Sequence, residues 1–300
     1  MIRLVIFLFF SLAVKVLFGQ EDLLSTLESE SDDDFSYVRA TWKSPTLINA
    51  YTTETERKGV LDFKISHRFG NVGGPNGGGH SLYGLDRASN IRFSFDYGVT
   101  EDFQIGVGRS KTNENIDFSI RYKFLKQRRK STPFTAVIIS NTAFTPKKDI
   151  NGYITKIAHR FYPLNQIVIG SKLNRKFSVL FSVSHLHKNL VVQSSDISLP
   201  KDQNDLISVG FGTRYRITKK FSLVGEYNHT FGELRNTKKY DYYHPFSCGV
   251  EIETGGHVFH INLSNSSGLI FQDLIDTGVD SWAKGEFKLG FRISRFFVLK

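Results

Sequence analysis

Two histidines of this 300-residue chain have a spacing that metal chemistry uses. His185 and His187 lie two residues apart, and a pair at this spacing can start a zinc site. No cysteine or carboxylate of the sequence lies at ligand spacing beside them. The favoured interpretation is therefore that the two histidines are polar residues at the end of a strand and not metal ligands. His229, His257 and His260 add no motif to the pair. We therefore predict no metal site and no cofactor.

Two carboxylates, Glu251 and Glu253, have the spacing of an acid and a base. They share the polar face of one predicted strand, where counter-ions for Arg214 and Arg216 are the simpler interpretation. A lipase-type Ser-His pair needs adjacent lipid-facing positions, which spacing alone does not show. The single Cys248 excludes an intramolecular disulfide and falls on an apolar strand face. The sequence thus predicts a protein that is not an enzyme.

The elements that carry these side chains are predicted from strict alternation of apolar and polar residues. Residues 90–99, 103–110 and 116–124 each alternate with a period of two, which indicates β-strands with one apolar and one polar face. Their connections are short, so neighbours should pair antiparallel in a meander. The apolar faces carry Phe and Tyr, and the polar faces carry charges of both signs. This arrangement is typical of a membrane barrel with lipid outside and a polar lumen.

The same pattern extends along most of the chain. The remaining predicted strands are residues 60–69, 134–143, 161–173, 177–187, 206–217, 221–231, 244–253, 257–264 and 284–299. Connections after even-numbered strands are short, and those after odd-numbered strands are mostly long, with 111–115 as the exception. The predicted fold is therefore all-β, a closed antiparallel up-and-down transmembrane β-barrel of about twelve strands. Residues 134–143 are apolar on both faces and cannot be oriented from the sequence.

The N-terminal part of the chain indicates export. Residues 1–19 have the features of a signal peptide: Arg3, an apolar run over residues 4–18, and the small Gly19. Lys15 within the run counts against a membrane-spanning helix, and no later window has the ~18 continuous apolar residues of a helical span. Residues 20–56 should form an acidic, partly disordered periplasmic lead-in, which either enters the barrel as a plug or is a simple connection. The barrel should cover residues 57–300.

The formal charge of +10 does not indicate a nucleic-acid protein, because the basic residues are scattered along the chain. The glycine-rich residues 70–89 lack the Lys-Ser/Thr ending of a phosphate loop and precede a strand, so a surface loop is expected. The expected location is the outer membrane of a Gram-negative bacterium, with both termini and the turns 126–133 and 218–220 in the periplasm. The expected partners are outer-membrane lipid, the barrel-assembly machinery and small polar solutes, with no nucleic acid.

The polar faces of the predicted strands supply charged residues that should line the lumen. They are Asp62, Lys64, Arg68, Arg92, Asp96, Asp117, Arg121, Lys123, Arg214, Arg216, Glu226, Glu251, Glu253, Glu286, Lys288 and Arg292. A dry interior would make unpaired charges very costly, but the near balance of signs allows pairing. Barrels of about eight strands are filled by side chains, whereas about sixteen strands leave an aqueous channel.

We therefore expect a narrow, hydrated and partly obstructed lumen with weak ion selectivity. The predicted function is a narrow channel for small polar solutes or ions. The alternatives are a structural barrel with a filled lumen and an outer-membrane hydrolase.

Five stretches also resemble one family: residues 58–70, 83–110, 215–227, 249–266 and 285–297. These pieces are similar to a Bacteroidota outer-membrane β-barrel family of unknown function. The resemblance implies an outer-membrane location and a barrel fold, and it carries no activity or site residues to transfer. The ending Phe297–Lys300 departs from the aromatic final residue that assembly signals often use.

Overall fold

A computed structural model describes residues 37–38, 41–196, 198–278 and 280–299. The predicted signal peptide and the acidic stretch up to residue 36 lie outside these residues. The described strands are β1 (Val60–Asn71), β2 (Ala88–Gly98), β3 (Phe103–Ser110), β4 (Ile116–Leu125), β5 (Thr135–Phe144), β6 (Phe161–Lys172), β7 (Phe177–His187), β8 (Asp205–Arg216), β9 (Phe221–Phe231), β10 (Phe246–Thr254), β11 (His257–Ser264) and β12 (Lys288–Val298). The helices of the described residues are α1 (Glu233–Asn236) and α2 (Phe271–Asp276), and 3₁₀ turns cover Gly79–Gly84, Thr112–Glu114 and Ile157–Arg160.

The twelve strands form one closed sheet. Each strand pairs antiparallel with the next along the chain, and β12 pairs with β1 to close the barrel, for example at Ile65 and Ile293. The connections after β2, β4, β6, β8 and β10 are short, and most of the others are long. The structure therefore confirms the predicted closed, antiparallel, up-and-down barrel of twelve strands.

Two strands begin at least two residues later than predicted. β12 begins at Lys288 and not at residue 284, because the preceding chain turns back, with the Glu286 N–H donating to the Ser281 carbonyl at 2.9 Å. Glu286 therefore lies in a loop and not on the barrel wall. β10 begins at Phe246 and not at residue 244, since Pro245 between them has no N–H to donate to a neighbouring strand.

The outer surface of the barrel is apolar. Phe118 is 58% exposed, whereas the neighbouring Asp117 is 1% exposed, and the same alternation runs along the other strands. Aromatic rings stack between adjacent strands on this surface, as Phe63 and Phe95 do with centroids 4.9 Å apart. Among the described residues, none of the helices has the length and apolarity that crossing a membrane requires.

Two elements lie inside the barrel. Residues 41–56, here called the inner segment, are mostly buried and enter from the end with the short turns. Their connection to β1 passes directly over Gly98, where a Cβ would overlap the Arg57 carbonyl, so a larger residue would block the entry. α2, in the connection between β11 and β12, enters from the opposite end. The two elements meet where the Tyr51 and Phe271 rings stack, with centroids 6.1 Å apart.

An apolar core forms where the inner segment and α2 contact the inward faces of β5 to β9. Its members are Trp42, Leu47, Ile48, Ala50, Tyr51, Val137, Ile139, Leu164, Val168, Leu180, Leu186, Leu206, Val224, Phe271, Leu274 and Ile275. This core explains why β5 is apolar on both faces. Val137 and Ile139 point into the core, while Ile138 between them is exposed on the outer surface.

Candidate functional site

The barrel interior has one charged wall and one apolar wall. The charged wall is formed by β1 to β4 and β12, opposite β5 to β9, which supply the apolar core residues together with the buried charges Arg214 and Glu226. Of the predicted lumen residues, the structure places eleven in buried positions: Asp62, Lys64, Arg68, Asp96, Asp117, Arg121, Arg214, Glu226, Glu251, Lys288 and Arg292. Four are half-buried on the strands: Arg92, Lys123, Arg216 and Glu253. Glu286 is half-buried in the loop before β12, where it accepts a hydrogen bond from the Ser281 N–H at 2.9 Å.

Ion pairs connect neighbouring strands across the charged wall. Lys64 of β1 contacts Asp62 at 3.2 Å and forms a second ion pair with Asp96 of β2. Arg92 of β2 passes over β3 to reach Asp117 of β4. The inward position between them on β3 is Gly108, where a Cβ would overlap the Arg92 guanidinium. The glycine therefore makes room for this ion pair.

The tip of the inner segment is held by a carboxylate of β9. Glu226 accepts hydrogen bonds from the main-chain N–H groups of Ile48 at 3.2 Å, Asn49 at 2.9 Å and Ala50 at 2.9 Å. The Asn49 side-chain amide donates to the same carboxylate at 2.7 Å. Hydrogen bonds from several N–H groups compensate the desolvation of a buried carboxylate. Glu226 therefore fixes the tip by charge-assisted hydrogen bonds.

Arginines of the opposite wall bind the carbonyl groups of the same tip. Arg292 donates to the carbonyls of residues 46–48 at 2.6, 2.8 and 3.1 Å. Arg121 donates to the Pro45 carbonyl at 2.6 Å, and its guanidinium lies 4.3 Å from the centroid of the Tyr51 ring. The donors of the tip thus face a carboxylate, and its acceptors face guanidinium groups.

The two glutamates of β10 have different partners. Glu251 accepts from Arg214 at 2.7 Å, as the sequence predicts. Glu253 instead lies 2.8 Å from Lys43 of the inner segment. Spacing along the strands could not show this partner, because Lys43 belongs to a segment without regular periodicity. A further contact, Lys123 with Glu54 at 3.8 Å, also joins the inner segment to the wall.

A ring of four charged residues fastens α2 to the long loops. Lys188 lies 2.5 Å from Asp202 and 2.9 Å from Asp276, and Arg235 lies 2.6 and 2.5 Å from the same two carboxylates. Burial alone would raise the pKa of Asp202, but hydrogen bonds from Arg235 and Lys188 hold it below its ordinary value. We call these four residues the clasp.

Asp273, a second acidic residue of α2, has a raised pKa, in contrast to the lowered pKa of Asp202. Asp273 is buried against Asn113 and Asn115, whose amides lie 3.4 and 3.3 Å from its carboxyl group. Burial raises the pKa of Asp273 to about 7. Its neighbour Gln272 donates to the Asn141 side chain of β5 at 2.5 Å. The protonation of Asp273 is thus linked to the docking of α2.

α2 separates two cavities of the interior. A vestibule of about 480 Å³ lies on the long-loop side, and Gln272, Asp273 and Asp276 form part of its lining. An inner cavity of about 50 Å³ lies on the other side, next to Ile270 and Phe271 and to the tip of the inner segment. The vestibule can hold a small molecule, whereas the inner cavity has room for a few waters or one small ion.

Sequence reasoning missed the inward position of α2. The alternation predicts residues 265–283 only as one of the long connections after odd-numbered strands. A signal was present, since Ile270, Phe271, Leu274 and Ile275 have the i, i+1, i+4, i+5 spacing of one helical face.

The histidine pair has a carboxylate that the sequence did not suggest. The Oδ1 atom of Asp205 lies 2.8 Å from His185 Nε2 and 2.8 Å from His187 Nδ1, because β8 pairs with β7 at this level. Across the described part of the chain, no group of three or more His, Cys, Asp or Glu side chains could hold a metal ion. His260 is buried in the interior, with Nε2 2.9 Å from Arg292.

Three solved structures are similar to this chain. An outer membrane channel from Pseudomonas putida F1 has a TM-score of 0.50 at 12% identity, over 82% of this chain and 98% of that chain. The NanC porin has a TM-score of 0.47 at 10% identity, over 80% and 99%. The KdgM porin in complex with disordered oligogalacturonate has a TM-score of 0.45 at 7% identity, over 80% and 99%. At this identity the likeness shows the fold alone. No curated protein matches the sequence.

A family match covers most of the chain. The profile of DUF5777, described as a membrane-bound beta barrel domain, matches residues 42–297. The matched region includes the inner segment and the α2 loop together with all the strands up to β12. The chain therefore belongs to the DUF5777 family of membrane-bound beta barrel domains.

Proposed function

We propose that the protein is an outer-membrane channel for small polar solutes or ions, in which the inner segment and α2 restrict the passage. The observation that carries this proposal is the position of the two cavities on opposite sides of α2. A solute entering the vestibule would have to pass α2, the inner cavity and then the inner segment. The inner segment is held to the wall by polar contacts such as those of Glu226, and α2 is held to the long loops by the clasp. Polar contacts of this kind can break and re-form.

The charged residues of the wall favour polar solutes as the transported molecules. Lys64, Arg92 and Asp96 face the inner cavity, and an apolar molecule would have to displace the hydration of these groups. The proposed location is the outer membrane of a Gram-negative bacterium, as the resemblance to Bacteroidota barrels implies. In this arrangement the termini and short turns are periplasmic, and the barrel-assembly machinery inserts the protein.

A filled structural barrel is the second candidate. The apolar core between the inner segment, α2 and β5 to β9 favours it, because residues such as Leu47 and Leu274 are as buried as in the core of a globular domain. A hydrolase has less support. Glu251 is engaged by Arg214 and Glu253 by Lys43, so the two carboxylates do not form an acid and base pair.

Conductance separates the first two candidates. Purified protein in planar bilayers should show small unitary steps, and deletion of residues 20–56 with the signal peptide retained should enlarge them. Deletion of residues 20–36 alone is the matched control and should leave the steps unchanged, because the inner segment remains. If neither the full-length protein nor the longer deletion conducts, and liposomes stay tight to small sugars, the filled barrel replaces the channel.

A further inference from the structure

The inner cavity is surrounded by positive charge. Its lining includes five basic side chains from four strands: Lys64, Arg68, Arg92, Arg121 and Arg292. Among the described residues, Asp96 is the one carboxylate in this lining. Most of the charged side chains that face this cavity directly are therefore positive.

The carboxylates of the barrel interior near this cavity contact groups other than Arg68 and Arg292. Asp62 and Asp96 contact Lys64, and Asp117 contacts Arg92. Glu226 is occupied by the N–H groups of the inner segment. Within the described chain, neither Arg68 nor Arg292 has a carboxylate within salt-bridge distance, so both guanidinium groups lack a direct counter-ion.

Two of the three side-chain nitrogens of Arg68 also lack hydrogen-bond partners among the described residues. Its side chain is 1% exposed, and its Nη2 donates to the Asn49 side chain at 2.8 Å. Its Nε and Nη1 atoms have no partner among the described residues, and the same is true of Nε of Arg121 and of Arg292. Burial of a guanidinium group without hydrogen-bond partners or a counter-ion costs free energy, unless an anion or water occupies the space beside it.

Arg68 and Arg292 both line the inner cavity. They are buried diagonal neighbours on the adjacent strands β1 and β12, since Arg68 is opposite Gly290 and Ser66 is opposite Arg292. The Arg68 side chain lies over Gly290, where a Cβ would be 3.3 Å from its Cδ. Water could satisfy the free N–H groups, but only an anion would also compensate the charge.

We propose that the inner cavity binds a small oxyanion, such as inorganic phosphate, sulfate or a simple carboxylate, between Arg68 and Arg292. Guanidinium N–H groups donate charge-assisted hydrogen bonds to the oxygens of such anions. Arg68 has Nε and Nη1 without a partner for this purpose, and Arg292 has Nε. The cavity of about 50 Å³ limits the ligand to this size. Since Arg68 and Arg292 also hold the tip of the inner segment, the anion lies against that tip. The site does not depend on conduction, and a filled barrel would contain it as well.

Binding of inorganic phosphate to the full-length protein in detergent tests the site. Isothermal titration calorimetry at constant ionic strength in sodium chloride should show saturable binding of about one phosphate per chain. Arg68→Gln should weaken this binding about tenfold or more, since it removes charge-assisted hydrogen bonds from the ligand. Arg109→Gln is the matched control, because Arg109 is half-exposed at the outer end of β3 and pairs with Glu114 at 3.8 Å.

Each outcome decides the proposal. Absence of saturable binding in the wild type, equal binding by Arg68→Gln, or full displacement by the same concentration of chloride would overturn it. If Arg68→Gln does not fold, Arg68→Lys retains the charge with fewer donors and should bind phosphate several-fold more weakly than the wild type. Sulfate and acetate as competitors define which oxyanions the cavity accepts. A protein that binds phosphate but does not conduct keeps this site and loses the channel function.

Discussion

At the scale of single residues, the interior is organised by which charges have partners. Lys64 and Arg92 are neutralised by carboxylates of neighbouring strands, whereas Glu226, Arg121 and Arg292 bind the main chain of the inner segment. The second group of side chains therefore determines whether the inner segment stays in place, and the first group stabilises the wall.

Replacement of Glu226 by Gln should loosen the inner segment without unfolding the barrel. The amide keeps one acceptor but loses the charge that three main-chain N–H groups share, a loss of about 3 kcal/mol in the docking of the tip. Hydrogen exchange at residues 48–50 should accelerate, while the strands stay protected. Glu253→Gln at the mouth is the control and should have a small effect. Equal protection in both variants would contradict the role of Glu226.

The facing of β4 gives a second prediction at this scale. Phe118 is exposed on the apolar outer surface, so Phe118→Lys should destabilise folding into lipid bilayers by roughly 2–4 kcal/mol, the cost of a cation near the bilayer midplane. Phe118→Leu keeps the site apolar and should be close to neutral. Denaturant titrations of the barrel in lipid vesicles measure both. A tolerated lysine would mean that the outer surface of β4 does not contact lipid.

At the scale of elements, the regular parts of the fold could be predicted and the inner parts could not. The alternation in β2, β3 and β4 follows from one lipid-facing and one inward face, which is a local property of the sequence. The inner segment has no such period, because its side chains contact two different walls: Leu47 packs in the apolar core, and Asn49 accepts a hydrogen bond from Arg68 of the charged wall. Strand β5 could not be oriented for the same reason, since its inward neighbours are apolar.

In the candidate site, the inward charged residues could be predicted from the sequence, but their partners could not. Inward charges such as Asp117 and Arg121 were predicted from the alternation, and the structure places both in the interior. Their partners depend on contacts between distant parts of the chain. Arg121 binds the Pro45 carbonyl, 76 residues away, and no spacing rule connects these two positions.

The docking of α2 should depend on pH through Asp273. Its pKa is about 7 when α2 is buried, against an ordinary value of 3.8, because burial disfavours the charged carboxylate. Because the pKa is raised in the docked state, the Asp273 carboxyl group contributes its full free energy to docking below about pH 4. This contribution is lost as the pH rises through 7. Hydrogen exchange of α2, corrected for intrinsic rates, should therefore be faster relative to the strands at pH 8 than at pH 5.

Asp273→Asn provides the matched variant for this experiment. The amide has nearly the same shape and carries no charge at any pH, so α2 should stay docked at pH 8 as well as at pH 5. An unchanged pH dependence in Asp273→Asn would assign the effect to another group, for example a residue of the clasp.

At the scale of the whole molecule, the two ends of the barrel differ in construction. One end has short turns, such as Gly255 and Gly256 between β10 and β11, and receives the inner segment. The other end has the long loops, the clasp and the vestibule. Transmembrane barrels of the outer membrane have short periplasmic turns and longer extracellular loops. We therefore expect the vestibule to open to the outside and the inner segment to enter from the periplasm.

Cysteine labelling of intact cells tests this orientation, after Cys248 is replaced by Ser. Asn76→Cys lies in an exposed part of the long β1–β2 connection, and Gly255→Cys lies in an exposed turn where the added side chain meets no neighbour. An impermeant maleimide should label Asn76→Cys in intact cells and Gly255→Cys only after the outer membrane is permeabilised. Labelling of both after permeabilisation controls for expression. The opposite pattern would place the vestibule in the periplasm, and the inner segment would then close the barrel from outside the cell.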